Sequence, residues 1–266
     1  MTVDQPRNGG VGPLTLTVPA FVGLVFLVGP LIGLLLRTPW LRLPELLADP
    51  AVADALRLSL VASAIATALC LLLGVPLAWL LVQPGLPGRP VLRALITVPL
   101  VMPPVVGGVA LLMLLGRNGV LGAPLAALTG ITIPFTTTAV VLAEAFVALP
   151  FLVLSVEGAL RSADRRYEEA AATLGADRLT VFRRVTVPLV LPGIASGAVL
   201  AWARALGEFG ATVTFAGSFP GRTQTMPVAV YLALESNPEA ALALSVILLL
   251  VSVLLLGLLR DRWISR

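Results

Sequence analysis

The sequence predicts an all-α membrane protein of six transmembrane helices with both termini in the cytoplasm. Three observations carry that prediction. The 266 residues are 58% hydrophobic with a mean hydropathy of +1.00, and only 12% are charged, about half the fraction usual in soluble domains. Six apolar stretches approach or exceed the roughly 20 residues needed to cross a bilayer. The arginines then fall unevenly on the two sides those stretches define.

Residues 1–13 are short, polar and rich in Gly and Pro, and read as a disordered cytoplasmic tail. The first span is 14–36. No small-residue cleavage site follows it, so it reads as an uncleaved helix rather than a signal peptide. The second span, 56–82, contains Gly74 and Pro76, and Pro inside a helix removes a hydrogen bond and kinks it. A tight turn at 83–90 leads to the third span, 94–116. This span carries Pro99, Pro103, Pro104, Gly107 and Gly108 within ten residues. A straight helix cannot pass through those prolines. A broken element at membrane depth is stable only where protein or a water-filled cavity surrounds it, so Pro103 and Pro104 mark either a structural kink or a border of a pathway. After the turn RNGVLGAP, the fourth span lies within 134–156 and contains Glu144 and Pro150. The fifth, 189–213, contains Arg204 and Glu208. Residues 216–239 read as a mostly polar connector, and 240–259 as the sixth span before a basic cytoplasmic tail at 261–266. The membrane domain is thus 14–260.

With the N-terminus inside, twelve arginines lie on the inner side and five on the outer, the remaining one, Arg204, being in a span. The positive-inside rule therefore sets the orientation, and it also explains the basic balance without nucleic-acid binding. The chain has no His and one cysteine, Cys70, so an intrachain disulfide and a His/Cys metal site are excluded. It has no lysine and no phosphate-binding G-x-x-x-x-G-K-[ST] loop. It is therefore expected not to be an enzyme and to bind no cofactor. If ATP drives it, a separate polypeptide hydrolyses the nucleotide.

The longest polar interval is 161–188, RSADRRYEEAAATLGADRLTVFRRVTVP, which holds six of the eighteen arginines. Ser162 is placed to cap a helix through ADRRYEEAAATL. Gly175 suits the left-handed position that ends it. Asp177 can cap a second short helix that ends before Pro188, with Leu179, Phe182 and Val185 at helical spacing. The small side chains of Ala170, Ala171 and Ala172 leave room for a partner to approach. In the fifth span, Arg204 and Glu208 are four residues apart on one face. An arginine at the middle of a span costs roughly 2.5–3.5 kcal/mol on insertion scales, so it faces protein or water. The pair fits a structural ion pair or the border of a substrate path. Ser196, Thr212 and Thr214 are further hydrogen-bond donors for such a path.

Glu169-Ala170-Ala171, three residues, Gly175, nine residues and then Val185-Thr186-Val187-Pro188 resembles the EAA loop of permease subunits of binding-protein-dependent ABC importers, with Val at both aliphatic positions. The stretch ALGEFGAT (205–212) and the pattern Gly221, Thr223, Thr225, Met226, Pro227, Ala229 and Tyr231 are similar to those of molybdate permeases. So are PLVMPPVV (99–106) and GVPLAWLL (74–81). The resemblance covers nearly all of 14–260 and implies a type I ABC importer permease fold in the bacterial cell membrane. It implies ATPase coupling through Glu169, Ala170, Ala171, Gly175 and Pro188. It also implies a homodimer with two copies of an ATPase that uses ATP and magnesium, an extracytoplasmic molybdate-binding protein, and molybdate or tungstate as cargo. Sulfate/thiosulfate permeases share a similar GEFG stretch and are the nearest alternative. An ATP-independent secondary anion transporter would carry an inverted repeat, which the sequence does not display. A non-transporting scaffold would leave Arg204 and Glu208 unexplained.

Overall fold

A computed structural model describes residues 14–164 and 166–263. The tail expected at 1–13 and the last residues of the tail expected at 261–266 lie outside the described residues. Among the described residues every regular element is helical. Helix α1 (Leu14–Arg37) touches α13 and is otherwise exposed along its length. A single turn, Trp40–Arg42, and the short α2 (Leu43–Leu47) lead into α3 (Pro50–Val82). Helix α3 starts six residues before the expected second span. Asp49 Oδ1 accepts the Ala51 N–H at 2.9 Å and Pro50 occupies the first turn, so a capping signal, not the apolar run, sets the boundary.

The third span is broken as the prolines require. Helices α4 (Arg89–Val101) and α5 (Pro104–Leu115) meet at 117° across Met102 and Pro103. The turn expected after it also holds a helix, α6 (Gly122–Thr129). Helix α7 (Thr137–Ser162) runs beyond the expected fourth span, opened by the Thr136 hydroxyl, which accepts the Ala139 N–H at 3.3 Å. Then come α8 (Arg166–Thr173), α9 (Arg178–Val181), a π-helical turn at Phe182–Thr186, and α10 (Val187–Leu206). The chain closes with α11 (Gly210–Ala216), α12 (Met226–Ser236) and α13 (Pro238–Trp263).

Two expectations are corrected here. The fifth span does not run unbroken to residue 213: α10 stops at Leu206, and Gly207, Glu208 and Phe209 form a break before α11. The stretch 216–239 is not simply a polar connector, because α12 occupies eleven residues of it and buries Met226, Val228 and Ala229. Met226 N–H donates to the Ser59 hydroxyl of α3 at 2.7 Å, so buried contacts outweigh the polar average of the segment.

The core is built by α7, which packs against α3 and α10, with α5 and α11 closing one end. Ala62, Ala66, Ala148, Ala201 and Ala205 are fully buried at these contacts. Small side chains let membrane helices approach closely, and dispersion then supplies the attraction that lipid cannot. Among the described residues, four helical stretches are long and apolar enough to cross a membrane: Leu16–Arg37, Pro50–Val82, Thr137–Ser162 and Arg178–Leu206. The bent pair α4–α5 makes a fifth if it counts as one span, and α13 contributes an apolar stretch at Pro238–Leu254.

Candidate functional site

Two groups of residues stand out, one at the α8–α9 hinge and one where α5, α7, α10 and α11 meet. At the hinge, α8 is capped by Asp164, whose Oδ1 accepts the Arg166 N–H at 3.0 Å. Ser162, the expected cap, is instead the last residue of α7, and its hydroxyl donates to the Ala159 carbonyl at 3.0 Å. A carboxylate two residues on outcompetes a hydroxyl still held by the preceding helix.

Helix α8 ends as expected at Gly175, with φ at +84°. The Gly175 N–H donates to Ala172 and the Ala176 N–H to Ala171, the paired bonds of a left-handed helix stop. Asp177 Oδ1 accepts the Thr180 N–H at 3.3 Å and starts α9. Hydrogen bonding from the Thr180 side chain holds its carboxyl below the usual range. Glu169, Ala170 and Leu174 are exposed and Ala171 is half-buried, so the small-residue face of α8 is open to a partner. Leu179 and Phe182 line an apolar groove with Val75, Pro76 and Trp79 of α3.

The second short helix does not end before Pro188. Residues 178–206 are continuous, because the turn at Phe182–Thr186 widens to π geometry and the Val187 N–H reaches back five residues to the Phe182 carbonyl. Pro188 has no N–H to give, and its ring would crowd the carbonyl four residues back. Opening the preceding turn by one residue absorbs both demands.

The sequence reading missed the side chains that fasten this hinge. The Thr186 hydroxyl donates to Glu168 Oε1 at 2.5 Å, joining α8 to the π turn. Glu157, buried at the end of α7, accepts from Arg161 Nε and Nη2 at 3.0 and 2.8 Å, and Arg93 of α4 lies 3.5 Å from its second oxygen. Glu157 was visible as a carboxylate near the end of an apolar helix, a type that seldom stays buried without a partner. The Glu168–Thr186 contact spans eighteen residues and leaves no periodic signal. Thr186→Val should remove the tie at a cost of about 1.5–3 kcal/mol, the worth of a hydrogen bond to a charged group. Thermal unfolding of the purified chain should show the loss, while membrane insertion, read by fractionation, stays unchanged.

In the second group, Arg204 Nη2 lies 2.6 Å from Glu208 Oε2, and Glu208 Oε1 accepts the Ala211 N–H at 2.9 Å. Glu208 thus caps α11 and anchors Arg204 together. It is 1% exposed. Glu144 of α7 is equally buried, lies within electrostatic reach of Glu208, and has one oxygen with no hydrogen-bond partner among the described residues. The Thr212 hydroxyl is likewise buried and unpartnered, while Thr214 is committed to the Gly210 carbonyl at 2.8 Å. Pro103 caps α5, and Pro104 packs directly against Gly210: a Cβ on that glycine would stand 2.8 Å from the proline ring. The structure therefore brings Pro104, Thr212, Thr214, Arg204 and Glu208 together with Glu144. Ser196 is not part of the group. It is exposed on α10, with its hydroxyl bonded to the Pro192 carbonyl at 2.9 Å.

The 221–231 pattern has a structural part to play. Gly221 takes φ at +69°, the Thr223 hydroxyl accepts the Phe219 N–H at 2.9 Å, and Thr225 and Met226 open α12 against α3. Among the described residues, no three His, Cys, Asp or Glu side chains come together as a metal site.

Comparison with known proteins adds three findings. Residues 70–266 match the family described as binding-protein-dependent transport system inner membrane component. The chain is 52% identical over 244 residues to the molybdenum transport system permease protein ModB of Mycobacterium bovis, covering 91% of each chain. It is 41% identical to the protein of the same name from Escherichia coli K12, covering 80% of this chain and 93% of that one. Among solved structures, a bacterial ABC transporter that imports the acidic polysaccharide alginate superposes with a TM-score of 0.72 over 95% of each chain, at 17% identity, a likeness of fold alone.

Proposed function

The chain belongs to the family of binding-protein-dependent transport system inner membrane components, and from that premise we propose that it is the channel subunit of an ATP-driven importer of molybdate, and of tungstate with it. The observation that carries the mechanism is an exposed, hinged helix pair fastened to a helix that leads without interruption to Arg204. Two copies of the chain form the membrane unit, crossing the bilayer with six spans each and both termini in the cytoplasm of a bacterial cell. Each copy receives one ATPase subunit on α8, through Glu169, Ala170 and Ala171. An extracytoplasmic binding protein delivers the anion.

ATP and magnesium are used by the ATPase partner and not by this chain. When the ATPases close, α8 moves with them. Glu168 and Thr186 pass the displacement to the π turn, and α10 carries it to the group around Arg204. Arg204, the Thr212 hydroxyl and the α5 break border the path there. A tetrahedral dianion needs donors in a dry path, held loosely enough to release it again.

The reading is tested by molybdate uptake in a strain deleted for its own molybdate permease and supplied with this chain and its ATPase and binding protein. Restored molybdate uptake with no effect on sulfate uptake is expected; the reverse pattern assigns the chain to sulfate import and sinks the cargo assignment. In the same assay, Gly175→Pro should cut uptake at least about tenfold, because proline cannot adopt positive φ and the hinge must rebuild. Glu169→Lys should do likewise by reversing a charge on the docking face. Normal uptake by both variants at normal membrane levels would overturn the coupling role.

A further inference from the structure

Behind the hinge lies a second cavity, of about 420 Å³, distinct in character from the apolar groove beside it. Its polar lining includes Gln83, Arg89, Arg161, Glu168 and Thr186, with Trp79 on its wall. The acidic groups there are already engaged. Glu168 Oε1 takes the Thr186 hydroxyl, and nearby Glu157 takes Arg161 and Arg93. Arg89 is different. It makes no ion pair among the described residues, its Nη2 donates to the Gln83 carbonyl, and its Nε is buried with no acceptor. A buried guanidinium N–H without an acceptor is costly, and an anionic oxygen is the acceptor that relieves it best. Arg89 also opens α4, where the helix dipole adds positive potential.

We propose that this cavity binds a tetrahedral oxyanion group, with Arg89 as its principal ligand; Arg161, also on the lining, is already paired with Glu157. The shared chemistry is that of a free molybdate or phosphate dianion and of a lipid phosphate headgroup; the volume admits either. The proposal rests on the cavity and not on the transport reading, so it is tested on this chain without ATPase or binding protein.

The full-length chain is reconstituted in nanodiscs of phosphatidylcholine and titrated separately with molybdate and with inorganic phosphate, while tryptophan fluorescence is recorded. A parallel set replaces part of the phosphatidylcholine with increasing phosphatidylglycerol and receives no added anion. A saturable change is expected in at least one set; it should vanish in Trp79→Phe, which places it beside Trp79, and the Arg89 variants then separate this cavity from the apolar groove that Trp79 also lines. A response to free anion identifies a soluble ligand, and a response to phosphatidylglycerol alone a lipid headgroup. Arg89→Gln should weaken the response at least about tenfold, as loss of a charge-assisted contact does, whereas Arg89→Lys, which keeps the charge but not the Nε–H, should keep only part of it. No saturable change in either set with the unaltered chain overturns the proposal, as does undiminished affinity in Arg89→Gln.

Discussion

Arg204→Ala is expected to reduce uptake to background and to destabilise the folded chain by about 3 kcal/mol, the lower end of what breaking a buried ion pair costs. The lower end applies because the Arg204 side chain keeps 28% exposure while that of Glu208 keeps 1%. Removing the guanidinium leaves the buried Glu208 carboxylate with no cation among its described contacts. The damage does not stay local. Glu208 also holds the first turn of α11 through the Ala211 N–H, so its displacement frees the helix that packs against the α5 break. Arg204→Lys should recover part of the stability and little of the uptake, since an ammonium keeps the charge but not the planar fork. Thermal unfolding of the purified chain and uptake in cells measure the two effects. The combined variant Arg204→Ala with Glu208→Gln should be less unstable than the sum of the single changes, because it also removes the charge that the single change strands. Strict additivity would show that the pair is not coupled.

The second large effect is expected at Gly108. A Cβ there would stand 2.7 Å from Thr214 Cβ, 2.9 Å from the Ala211 carbonyl oxygen and 3.1 Å from Ala211 Cα. Two of those three atoms are backbone and cannot rotate away, so Gly108→Val must drive α5 from α11. Overpacking of this kind costs about 1–3 kcal/mol, occasionally more, and here it opens the junction that seats Pro104 on Gly210. Uptake should be lost even where the protein still reaches the membrane. Gly107→Ala is the matched control, since its Cβ would meet only the Phe146 ring at 3.3 Å and the Met102 methyl at 3.5 Å, both on side chains that can yield. Uptake should survive that change, and an equal loss at both positions would show that any added bulk in α5 is harmful.

The parts of this architecture that were legible in the sequence are those written in local chemistry. Consecutive prolines at 103 and 104 can only break a helix, and the helix is broken there. Gly175 between an alanine-rich helix and Asp177 can only be a left-handed stop, and it is. What stayed hidden depends on distant partners. The break at Gly207 was hard to read because the run 201–216 carries no proline and only two charged residues, Arg204 and Glu208; what ends α10 is the use of Glu208 as a cap for the next helix. Helix α12 was unreadable because Ser59, 167 residues away, receives its first N–H. Pro188 misled for a physical reason: a proline ends a helix only if the preceding turn cannot widen, and here it does. Ser196 was included for its hydroxyl; on α10 it lies about two turns from Arg204, with that hydroxyl bonded to the Pro192 carbonyl.

The uninterrupted stretch from Arg178 to Leu206 also fixes a mechanical advantage. Twenty-nine residues at the helical rise make a rod about 43 Å long, so a tilt of about 10° displaces one end from the other by about 7 Å. A rotation delivered at one end of such a lever reaches the other end without a relay of loops. The stiffness of that lever is set at the π turn, where one residue of slack sits close to the fulcrum.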